Sequence, residues 1–72
     1  MSRFRLDIRN AFTVLADDEG RDLGNILDAI ALAKTALQTL EREGGPLTQP
    51  WIEISDDRGG IVTTVRLDEL AN

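Results

Sequence analysis

Residues 26–43 are the one long stretch whose apolar side chains return with a helical period, and segments alternating with a period of two flank it on both sides. That pattern restricts the chain to one helix set against strands. Ile26, Ala29, Ile30, Ala33, Ala36, Leu37 and Leu40 fall on one face at 3.6-residue spacing, with Asp28, Thr35, Gln38 and Arg42 opposite. Asn25 suits the N-cap, because its side-chain oxygen can accept from an orphan backbone N–H. Asp28 favours the positive end of the helix dipole. Gly44-Gly45-Pro46 ends the helix, since Gly takes the left-handed position and Pro cannot continue the turn. Leu27 and Leu32 stand off the apolar stripe, on flanks that a single sheet would struggle to cover.

Before the helix, Phe4, Leu6 and Ile8 point one way while Arg3, Arg5, Asp7 and Arg9 point the other, the period of a half-buried strand. Asn10-Ala11 is expected to turn the chain, because Asn tolerates positive φ. Phe12–Ala16 reads as the return strand, with Phe12 and Val14 inward. The run from Asp17 to Asp22 then breaks regular structure. After the helix, Trp51–Ser55 alternates with Ile52 and Ile54 inward, and Asp56–Gly60 is a turn with two Gly for positive φ. Ile61–Leu67 is the most β-branched stretch, with Ile61, Thr63, Val65 and Leu67 inward. Asp68–Asn72 is a fraying tail or a single helical turn. A chain of 72 residues holds a single domain, residues 1–72. Its order is ββαββ. Isolated hairpins are marginal, so the expected fold is α+β, a four-stranded antiparallel sheet with one helix packed on one face. The other face then stays open, carrying Arg3, Arg5, Asp7, Arg9, Thr13, Leu15, Trp51, Glu53, Val62, Thr64 and Arg66.

Met1-Ser2-Arg3-Phe4 runs into a strand, Asp18-Glu19-Gly20 is followed by Leu23, and an Ala-rich helix leads to Ile52-Glu53-Ile54-Ser55-Asp56 before a Gly turn and a last apolar strand. In this order and spacing the chain resembles a family of short uncharacterised bacterial proteins, mostly alphaproteobacterial, catalogued as a domain of unknown function. It departs from that pattern at Arg5, where a second aromatic is expected, and at Asn10-Ala11, where a Gly-containing turn is expected. The resemblance implies a cytoplasmic bacterial protein with no established activity, and it offers no catalytic residues to carry over.

Composition excludes much. With no Cys, His or Tyr, the chain lacks a disulfide framework, a thiolate zinc site, a cysteine nucleophile and the commonest general base. Ser2 and Ser55 have no His to activate them, and the single Lys, Lys34, falls on the polar side of the helix. Asp17, Asp18, Glu19 and Asp22 are hard oxygen ligands, but the loop spacing fails for calcium. With Gly20 as sixth residue the loop would start at Leu15, and with Gly60 it would start at Ser55. A solvated loop is the expected reading, and no metal or cofactor is expected. Gly44-Gly45 ends a helix where a phosphate cradle would open one, and Gly59-Gly60 has no Lys and no following helix. The longest apolar run, Ala29–Ala33, is far short of the ~20 residues of a membrane span. Arg3, Arg5, Asp7 and Arg9 stand where a signal peptide would be hydrophobic, so a cytoplasmic protein is expected.

Two features remain as candidates for function. Arg3, Arg5 and Arg9 form a stripe on one strand face, which invites nucleic acid, but a net charge of −5 opposes phosphate backbones. Cross-strand partners such as Glu53 would neutralise the stripe. Trp51 is the only Trp and is either an interface anchor or a cap on the core beside Pro50; alternation leaves both open. The expected function is a non-enzymatic protein-interaction module that self-associates, as a homodimer, with an unidentified protein partner as a further possibility. Trp51, Leu15, Val62, Leu27, Leu32, Arg3 and Arg5 are its candidate contact residues. The alternative is a nucleic-acid-associated regulator reading through the Arg-bearing first strand.

Overall fold

The alternating segment near the N-terminus forms the strand on which two others are laid. In the computed structural model, which describes residues 2–44 and 48–66, that strand is β1 (Ser2–Arg9). It is followed by β2 (Val14–Leu15), β3 (Arg21–Leu23), α1 (Ile26–Glu43), β4 (Trp51–Ser55) and β5 (Ile61–Arg66). The described pairings are all antiparallel and the strands lie in the order β2-β1-β4-β5, with β3 on the N-terminal end of β1. One helix on one antiparallel sheet is the α+β fold expected from the two periodicities.

Helix α1 is bounded as its end residues dictate. The Asn25 side chain accepts from the Asp28 N–H at 3.1 Å. Gly44 takes the left-handed conformation at φ 68° and donates its N–H to the Leu40 carbonyl. The small side chains of Ala29 and Ala33, with Leu37, press against Ile52, Ile54, Val65, Phe4 and Leu6 to form the buried core. Ile8, Leu23, Ile26, Ile30, Leu32 and Ala36 pack around it. Leu32, expected to be left on a flank, is therefore part of the core margin, while Leu27 is 70% exposed as expected.

The first hairpin departs from expectation. Its turn occupies Asn10–Thr13, and it is made by the Asn10 side chain rather than by positive φ. The Asn10 Oδ1 accepts from the N–H groups of Phe12 at 2.9 Å and Thr13 at 2.8 Å, and the Asn10 N–H donates to the Thr13 carbonyl at 3.0 Å. Phe12, expected inward, sits on this turn and is 92% exposed. The turn has four residues rather than two, and the register across it, Arg9 with Val14 and Ile8 with Leu15, sets the faces of the return strand. Val14, expected inward, stands opposite Arg9 on the open side, and Leu15, expected on the open side, stands opposite Ile8 on the helix side.

The expected return strand Phe12–Ala16 shortens to β2, and a further strand, β3, follows the acidic run, so the sheet has five strand segments rather than four. Ile8 faces Leu15, yet Phe4 faces Arg21, so residues 5–7 of β1 run beside the longer stretch 16–20. Asp17 fills the gap. Its N–H donates to Asp7 Oδ1 at 2.8 Å, its carboxylate accepts from the Leu6 N–H at 3.3 Å, and its carbonyl accepts from Arg5 Nε at 3.2 Å. Gly20, at φ 71°, then brings the chain against β1, where a Cβ would lie 3.1 Å from the Phe4 carbonyl oxygen. The acidic run, expected only to break structure, is thus a fitted segment that ends in β3.

In the second hairpin only Gly59 of the two glycines has positive φ. Asp56 Oδ1 accepts from the N–H groups of Arg58 and Gly60, closing the turn. Ile54 faces Thr63 but Ser55 faces Ile61, so Val62 is an extra residue and β5 carries a bulge. Ile61, expected inward, falls out of phase with Thr63 and Val65 and is 62% exposed. The expectations for Gly45, Pro46, Leu67 and the tail 68–72 lie outside the described residues.

Leu37 is fully buried, so Leu37→Ala is expected to cost roughly 2–5 kcal/mol in chemical denaturation. A loss below about 0.5 kcal/mol, the level of surface substitutions, would place the helix elsewhere. Asp17→Ala removes the acceptor of the Leu6 N–H and is expected to cost about 1–3 kcal/mol. Faster amide exchange at Leu6 should accompany that loss.

Candidate interaction surface

The side of the sheet away from α1 is built from cross-strand rows, because directly opposed residues of antiparallel strands share a face. One row runs Val14, Arg9, Trp51, Arg66, the next Asp7, Glu53, Thr64, and a third joins Arg5 to Ser55 and the Ile61–Val62 bulge. Arg3 and Asp22 continue the face at the far end.

Asp7 and Glu53 stand directly opposite one another, an arrangement of like charges that needs compensation. Arginines supply it from either side. Arg9 Nη1 lies 2.9 Å from Glu53 Oε1 and Arg5 Nη2 lies 3.7 Å from Asp7 Oδ1, with both carboxylate side chains about one-fifth exposed. Arg3 pairs with Asp22 at 3.1 Å and also donates to the Glu19 carbonyl. The cross-strand pairing expected for the arginine stripe is therefore present for Arg3 and Arg9, and Arg5 pairs with Asp7 of its own strand. The more exposed of these pairs add little to stability one by one. Together they match charge across the middle of the face.

At one end of the face the Arg66 guanidinium lies 4.9 Å from the centroid of the Trp51 ring, in stacking range. Trp51 is consequently half-buried on the open side, covered by Arg66 and lying beside the core rather than within it. Val62, 47% exposed, lies four residues from Arg66 along β5, roughly 13 Å away at strand rise. Leu15 belongs to the other side of the sheet at its far margin. Leu27 projects from the helix, and Leu32 is packed. Of the seven candidate contact residues, the structure places Trp51, Val62, Arg3 and Arg5 on one sheet face and leaves Leu15, Leu27 and Leu32 off it.

Three residues expected inward are exposed, Phe12, Val14 and Ile61. All three lie on or next to a side-chain-closed turn, and both turns begin with a residue that accepts from the backbone ahead of it, Asn10 and Asp56. That Asx signal was present in the sequence. Among the described residues no three acidic side chains converge as a metal site would require, and no helix is long and apolar enough to cross a membrane. Neither any curated protein nor any solved structure matches the chain. Its sequence matches the profile of a domain of unknown function, DUF6894, over residues 3–68 of 72, and the chain belongs to that family.

Proposed function

We propose that this chain is a non-catalytic protein-interaction module that associates with itself, acting in the bacterial cytoplasm that the family resemblance implies. The observation that carries the reading is the number of large apolar side chains left in water by so small a molecule. Phe12, Val14, Leu15, Leu27, Ile61 and Val62 are between 43% and 92% exposed. Scattered apolar residues are ordinary, but Ile61 and Val62 are adjacent and open the outer strand of the sheet, and contiguous exposed apolar surface marks contact sites. A closed two-fold dimer is the simplest way to cover such a patch, because each copy meets the same patch on the other.

The absence of His, Cys and Tyr supports a non-catalytic role. So does the engagement of Asp7, Glu53 and Asp22 by arginines. The same ion pairs weaken the reading as a nucleic-acid-associated regulator, since Arg3, Arg5 and Arg9 already face carboxylates in a chain of net charge −5. Sedimentation at tens of micromolar, near the weak end of specific affinities, is expected to show a species of twice the 7.9 kDa chain mass. A species of 7.9 kDa across that range would refute self-association. In a mobility-shift assay with duplex DNA at physiological salt, no retardation beyond weak non-specific contact is expected. A shift at micromolar protein that is lost in Arg3→Ala/Arg5→Ala would favour the regulator instead.

A further inference from the structure

We propose that the second copy docks edge to edge: β5 of one chain pairs antiparallel with β5 of the other about a two-fold axis at Thr64, joining two sheets into one. This rests on the self-association proposed above and names its surface.

The two edges of the sheet differ. One is the interrupted run of β2 and β3, two and three residues long, with the Asp17 segment between them. The other is β5, Ile-Val-Thr-Thr-Val-Arg, whose outer side pairs with no strand among the described residues. Proteins usually blunt such an edge with Lys, Pro, inward charge, brevity or a bulge, and β5 has only the last of these. Its bulge lies at Val62, near the start of the strand, and leaves Thr63–Arg66 regular. Five of its six residues are β-branched, the type that suits a paired strand.

Self-pairing also satisfies the pattern of faces. In a continuous sheet with both helices on one side, residues of like phase must meet. Centring on Thr64 sets Val62 against Arg66 of the second copy, Thr63 against Val65, and Thr64 against its own counterpart. Val62, half in water, is then carried onto the aliphatic stem of the Arg66 that stacks on Trp51. The Thr63–Val65 pair extends the helix-side core, where Val65 is 4% exposed. Charge favours the same contact. Two chains of net charge −5 repel, and β5 is a segment with no acid and one Arg, which comes toward the Asp56–Asp57 turn of the other copy.

The chain has no cysteine, so single introduced thiols report cleanly. Thr64→Cys is expected to form a disulfide-linked dimer under mild oxidation at tens of micromolar, while Leu27→Cys on the exposed helix flank does not. Val62→Lys, facing Arg66 of the second copy, is expected to weaken the dimer at least tenfold by sedimentation. Val62→Glu, facing the same Arg66, is expected to hold the dimer within a few-fold of the unmodified chain. Circular dichroism of each variant confirms the monomer fold at this exposed position. If the unmodified chain is monomeric, self-association and edge pairing both fail. If it dimerises but Thr64→Cys does not crosslink and both Val62 variants still dimerise, edge pairing alone fails. Equal loss with Lys and Glu would overturn the Thr64-centred register.

Discussion

Everything in this molecule is arranged around the contact between the small-residue side of α1 and the two isoleucines of β4. Ala29 and Ala33 have no bulk to hold the helix off the sheet, and Leu37 completes the seam against Ile52 and Ile54, all five fully or almost fully buried. A helix about 10 Å across covers roughly two strands spaced ~4.8 Å apart. Here it lies chiefly over β4 and β5, with β1 and β3 reached from its flank. Strand β2 falls beyond that reach, which is why Leu15 stays 43% exposed although its register places it on the helix side.

The open face follows from the same economy. A second helix would have buried it, and the chain has none to offer among the described residues. The face is instead made of long side chains that carry apolar stems and polar heads, the two arginines Arg5 and Arg9 flanking the opposed Asp7 and Glu53. Arg66 serves Trp51 in a similar way, shielding an aromatic ring that would otherwise lie bare. Charge on this face is matched locally, while the excess of acid is carried by the turn segments, the helix and residues 68–69 of the sequence.

Helix α1, β1 and β4 were legible in the sequence because each depends on a local signal that tertiary contacts reinforce. The period over 26–43, the Asn25 cap and Gly44 act within a turn or two of themselves, and the observed helix has the expected bounds. The alternation of Phe4, Leu6, Ile8, Ile52 and Ile54 likewise survived intact. What the sequence reading missed was phase. The faces of Phe12, Val14 and Leu15 depend on the register across the Asx-closed turn at Asn10, where Arg9 meets Val14 and Ile8 meets Leu15, and that of Ile61 depends on the Val62 bulge, and alternation within a strand sets neither. Asp17 was illegible for a different reason. Its carboxylate replaces a missing strand partner for Leu6, a long-range role that no local pattern announces. Among the candidate contact residues, Leu15 lies across the sheet from the open face because of this register, while Leu32, expected on a helix flank, is packed at the core margin.

The interruption at Asp17–Gly20 has a consequence for how such a chain can assemble. A sheet with two matching free edges can add copies without end, and that is the route to fibres. Here the run of backbone donors and acceptors along β1 is met partly by two short strands and partly by a side chain, so that margin presents no continuous ladder to a newcomer. Growth along the hydrogen-bonding direction is thereby made one-sided. In the edge pairing proposed above, two copies meeting through β5 would turn both blunt margins outward, and the assembly would terminate itself at two.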